Sequence, residues 1–91
     1  MTTTTITRSY VIENPTGFHA RPARHFADTA AKLSCDIRVS KGEKKINGKS
    51  VLAMLTLGAR QNDTLTIEAT GEGAEEAIDI LGEIVTKAFE E

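Results

Sequence analysis

The sequence predicts an α+β open-faced sandwich, a four-stranded antiparallel sheet with three helices on one face in the order βαββαβα. Three observations point to it. Short β-rich segments alternate apolar and polar side chains, as strands do when one sheet face is packed and the other is wet. Two longer segments repeat apolar residues every three or four positions, the stripe of an amphipathic helix. A third, shorter apolar run opens on a serine suited to capping.

Taken in order, residues 1–5 read as a frayed lead-in and residues 6–91 as a single domain. "ITRSYVI" places Ile6, Arg8, Tyr10 and Ile12 on one side of a first strand, and "NPTG" breaks it. From Ala20, the set Ala23, Phe26, Ala27, Ala30 and Leu33 forms the stripe of the first helix. "CDIRVSK" puts Ile37 and Val39 on one strand face, with Cys35 expected as a small half-buried side chain at its start. "KGE" turns the chain and "KKING" returns it, making a hairpin. Ser50 opens a second helix reaching about Leu57, and Gly58 is placed to close it in the left-handed conformation. "TLTIEAT" alternates with Leu65, Ile67 and Ala69 facing one way. The last helix carries Ala74, Ala77, Ile78, Leu81, Ile84, Val85 and Ala88, with Glu75 and Glu76 at its positive end and Lys87 at its negative one.

Composition removes several functions. The formal charge of −2 gives no broad positive field for nucleic acid, and 4% aromatic residues leave few platforms for stacking bases. The longest apolar stretch, "SVLAMLTLGA", is well short of the ~20 residues of a membrane span, and no secretory signal pattern opens the chain. The expectation is a cytoplasmic protein with no membrane insertion. Cys35 is the only cysteine, so neither an intrachain disulfide nor a paired-cysteine zinc site can form. "KGEKKINGKS" imitates a nucleotide-binding loop, but five residues separate Gly42 from Gly48 where that motif has four.

The chemistry concentrates at "GFHARPARHF". His19 and His25 are six apart, which points them roughly 120° away from each other on a helix and argues against a shared metal. His19 follows a glycine and precedes the stripe, so it stands at a helix entrance, where the first N–H groups lack internal partners and favour an anion. Pro22 suits that first turn, because its fixed φ is helical and its missing N–H costs nothing, while Ala20, Arg21 and Ala23 keep theirs. The positive helix end favours an uncharged imidazole by about 0.3–2 kcal/mol, leaving a nucleophilic nitrogen. Ala20, Arg21 and Pro22 would surround phosphoryl oxygens there, with the Arg21 guanidinium neutralising charge. A plain surface histidine is the competing reading. "KGEKK" with Lys49 is a second patch able to meet an anion.

Ser50 is explained as an N-cap, or more sharply as a phosphorylation site at a helix start. Val51, Leu52, Met54 and Leu55 cannot all face the core of a two-turn helix, so an exposed Leu52 and Leu55 would make an apolar docking patch.

Together, "NPTGFHARPA" and "NGKSVLAMLTLGA" resemble the histidine-containing phosphocarrier (HPr) family of the bacterial phosphoenolpyruvate-dependent sugar phosphotransferase system. The resemblance implies that His19 accepts a phosphoryl group on Nδ1 from the phosphorylated first enzyme of that system and passes it to sugar-specific permease components. It implies a carrier without independent turnover, cofactor or metal. It also makes Ser50 a regulatory site for an HPr kinase/phosphorylase, linked to a catabolite-control regulator. Partners would dock on Val51, Leu52 and Leu55, steered by Arg24 and Lys49, with the carrier a monomer. Phe18 stands where leucine is commoner, Arg24 extends the basic rim, and the N-terminus is longer. Two other readings stay open: a relative in a nitrogen-linked regulatory branch, and a pure binding module that docks through the second helix without using His19.

Overall fold

The computed structural model describes residues 4–87. Its elements follow the expected order: β1 (Thr5–Val11), α1 (Ala20–Ala31), β2 (Asp36–Lys41), β3 (Lys44–Asn47), α2 (Val51–Thr56), β4 (Thr64–Thr70) and α3 (Ala74–Thr86). The strands form one antiparallel sheet ordered β1-β4-β2-β3. Thr5 lies inside β1, opposite Thr70, rather than in a frayed lead-in, because β4 is long enough to pair with it. Ala88 lies outside the described residues.

Registry sorts the side chains. Tyr10 pairs with Leu65, Ile67 with Val39, and Val39 with Ile46, so these share the face beneath the helices. Ile37, Val39, Leu65, Ile67 and Ala69 are fully buried there against Phe26, Met54, Ile78 and Leu81. Each large side chain so buried contributes about 1.5–3 kcal/mol of transfer free energy. The opposite face is polar, and hydroxyls meet across it, Thr5 with Thr70 at 3.0 Å and Ser9 with Thr66 at 2.9 Å. Arg8, on the helix side of β1, reaches Asp79 of α3 at 2.9 Å. Nearby, α3 lies so close to β1 that a Cβ on Gly82 would overlap the Tyr10 hydroxyl.

Two contacts fix α2 beside α1 in the opposite direction. Lys49, just before α2, donates from Nζ to Leu33 O past the end of α1 at 2.7 Å. At the other end, the Phe18 N–H donates to Ala59 O at 3.0 Å. The far end of α2 therefore adjoins the start of α1, while Ser50 adjoins its finish. Cys35 is buried, at 3% exposure, rather than half-buried, because Gly71 packs against it.

Candidate functional site

The segment "NPTG" is more than a strand break. Asn14 to Gly17 form a tight turn in which Gly17 N–H donates to Asn14 O at 2.8 Å, with proline second and glycine fourth as such turns prefer. The Asn14 side chain folds over this turn and is 8% exposed. Its Nδ2 donates to Gly17 O at 3.1 Å, while its Oδ1 accepts from Thr16 N–H at 3.3 Å and from Thr16 Oγ1 at 3.1 Å. Gly17 adopts φ +74°, and a Cβ there would sit 2.7 Å from Ala59 O, so only glycine lets the turn press against the segment after α2.

Phe18 then turns inward, 5% exposed, with its ring edge-on to Phe26 at 6.1 Å. A buried Phe18 throws the next side chain outward. His19 is exposed and is the N-cap of α1, with extended backbone at φ −79° and no side-chain capping bond. Its Nδ1 lies 3.3 Å from Thr16 Oγ1 and 3.4 Å from Gly17 O.

The first intrahelical bond runs from Ala23 N–H to His19 O at 3.0 Å. Ala23, expected to keep its N–H for an anion, has spent it on this carbonyl. Pro22 is wholly buried and has no N–H, so its part is to hold the first turn rather than to donate. Ala20 and Arg21 precede that bond and are exposed in the first turn of α1, directly after His19. His25 is exposed further along α1, and among the described residues no group of three or more His, Cys, Asp or Glu could hold a metal.

The basic rim differs from expectation. Arg24 has Asp28 one turn on, with Nε to Oδ2 at 3.8 Å. Lys49 is drawn onto Leu33 O, so it is half-buried at the far end of α1. Lys41 donates to Gly58 O at 3.2 Å and Lys44 to Thr56 O at 2.7 Å, covering the carbonyl end of α2, while Lys45 pairs with Glu68 at 2.6 Å. The "KGEKK" patch is thus committed to internal contacts, which no local pattern in the sequence could disclose.

Ser50 caps α2, its Oγ accepting from Ala53 N–H at 3.1 Å. Met54 and Leu57 turn inward, Val51 is half-buried, and Leu52 and Leu55 are exposed at 73% and 45%. An open depression of about 530 Å³ lies elsewhere, at the start of α3, where Glu72, Glu75, Glu76 and Asp79 would repel a phosphoryl group. The imidazole of His19 is exposed and does not line that depression.

A family model described as the PTS HPr component phosphorylation site matches residues 6–87. The chain belongs to this HPr family. Its members are phosphocarriers of the phosphotransferase system, and the fold and the histidine-bearing loop agree with that coarse role. An HPr crystal structure from Thermoanaerobacter tengcongensis is 40% identical, with a TM-score of 0.86, covering 94% of this chain and 97% of that one. The phosphocarrier protein HPr of Bacillus anthracis is 30% identical, with a TM-score of 0.83 and coverage of 89% and 96%. Crh of Bacillus subtilis, a catabolite repression protein solved as a domain-swapped dimer, is 29% identical, with a TM-score of 0.71 and coverage of 90% and 94%.

Sequence reasoning missed Asn14, Thr16 and Ala59 as parts of the site. Asn-Pro-Thr-Gly carried a usable signal for the first two, since asparagine at the head of a turn bonds the backbone two residues on. Ala59 carried none.

Proposed function

We propose that His19 is the phosphoryl acceptor of this HPr family member. It attacks the phosphohistidine of the first enzyme of the phosphotransferase system, so that a bond from His19 Nδ1 to phosphorus forms as the donor's nitrogen–phosphorus bond breaks. The reverse exchange, with the next acceptor's nucleophile attacking, hands the group to sugar-specific permease components. The carrying observation is the exposed imidazole of the α1 N-cap residue, followed by Ala20 and Arg21 at the helix mouth. The positive end of α1 and the Arg21 guanidinium hold the phosphoryl oxygens, while Pro22 and the buried Phe18 keep the turn in shape. No step needs a cofactor, and the protein acts as a monomeric carrier with no turnover of its own.

Leu52 and Leu55 supply the apolar part of the docking surface, beside Val51, and Arg24 supplies charge at the rim. Lys49 acts there through its grip on Leu33 O more than as a steering charge. Ser50 is the regulatory site: phosphorylation by an HPr kinase/phosphorylase places a dianion next to Leu52, slowing transfer and presenting a new surface to a catabolite-control regulator. The test is incubation of the protein and of His19→Ala with phosphoenolpyruvate and the first enzyme. Acid-labile phosphate is expected on the unaltered protein alone, and equal incorporation in both would contradict the proposal.

A further inference from the structure

Hydrogen-bond accounting in the Asn14–Gly17 turn leads to the proton on the His19 ring. The orientation of the Asn14 amide is fixed by its neighbours, because Gly17 O can only accept and Thr16 N–H can only donate. Nδ2 therefore faces Gly17 O, and Oδ1 faces Thr16. Thr16 Oγ1 lies 3.1 Å from that Oδ1, and a hydroxyl has a single hydrogen to give. With that hydrogen on Asn14, Thr16 Oγ1 has only lone pairs left for the imidazole. His19 Nδ1 then faces two acceptors, Thr16 Oγ1 at 3.3 Å and Gly17 O at 3.4 Å. A nitrogen between two acceptors keeps its hydrogen.

We infer that Asn14 is a positioning residue which, through Thr16, holds the resting His19 ring as the Nδ1–H tautomer with the lone pair on Nε2. The inference rests on the proposed role of His19 only for its consequence. Attack through Nδ1 requires the hydrogen to leave Nδ1 for solvent while solvent protonates Nε2, so the uncharged resting ring is one tautomer away from its reactive form. Turning the Thr16 hydroxyl from Asn14 Oδ1 toward the ring accompanies that exchange, since Nδ1 without hydrogen becomes an acceptor.

The test is long-range proton–nitrogen NMR of the full-length protein, with ¹⁵N-labelled histidine, at about pH 9, well above the usual histidine range. The unprotonated, pyridine-type resonance is expected at Nε2 of His19, and the protonated, pyrrole-type one at Nδ1. Finding the reverse assignment in the unaltered protein would overturn the inference, with no variant needed. Asn14→Ala frees the Thr16 hydroxyl hydrogen, so the balance should move toward Nε2–H. Asn14→Asp keeps an acceptor for Thr16 and should restore Nδ1–H, which a merely structural role would not do. Unchanged nitrogen shifts in a folded Asn14→Ala would also overturn it. These spectra are recorded without phosphorylation, so they stand apart from the test of the carrier role.

Discussion

Phe18 and His19 divide the labour of one short segment: the first sinks into the core and the second is left in solvent. Removing the anchor should cost both stability and site geometry. Phe18→Ala is expected to lower unfolding free energy by about 3–5 kcal/mol, whereas Phe18→Leu should cost less than about 1.5 kcal/mol, as read from denaturant midpoints at constant slope. Equal midpoints for Phe18→Ala and the unaltered protein would mean that the ring pair with Phe26 contributes little. Gly17 is the second sensitive residue. An added methyl meets Ala59 O as well as an unfavourable positive φ, so Gly17→Ala should lose more than the ~1–2 kcal/mol that the left-handed conformation alone costs.

Among the elements, α2 shows how two roles can be separated on six residues. Its cap is structural, and Ser50→Ala should destabilise the protein by about 1 kcal/mol in the same unfolding measurement. Its outer face is not: Leu52→Ser should leave stability within about 0.5 kcal/mol, given 73% exposure, yet slow phosphoryl transfer between proteins. Ser50→Asp keeps an acceptor for the cap and adds charge, so transfer should slow by about tenfold, equivalent to about 1.4 kcal/mol, in a stopped-flow assay. An unchanged rate would count against docking through this face. Much of this was legible in the sequence, since alternation and three-four periodicity are local properties that survive in a one-dimensional reading. The helix entrance at His19, the cap at Ser50 and the outward Leu52 and Leu55 all follow from such patterns. The lysines do not, because Lys41, Lys44 and Lys49 are defined by carbonyls of Gly58, Thr56 and Leu33, between 12 and 17 residues away. Ala59 was hidden for a related reason, its meaning residing in the turn at Gly17 that folds against it. Gly82 is the same case, intelligible only once Tyr10 lies beneath α3.

At the scale of the molecule, the sheet is a platform with its helices on one side, and the site belongs to the edge where α1 begins and α2 ends. His19 is exposed to solvent, so a bound partner would have to supply the exclusion of water that an enclosed site gives. That arrangement suits a carrier, which must receive and surrender its group through the same exposed atom. The most direct measurement is therefore where the phosphoryl group resides. Mass mapping under neutral to alkaline conditions, after reaction with phosphoenolpyruvate and the first enzyme, should place a single acid-labile phosphoryl group on the fragment bearing His19. Phosphorylation at His25 instead, or none on the folded protein, would contradict the account.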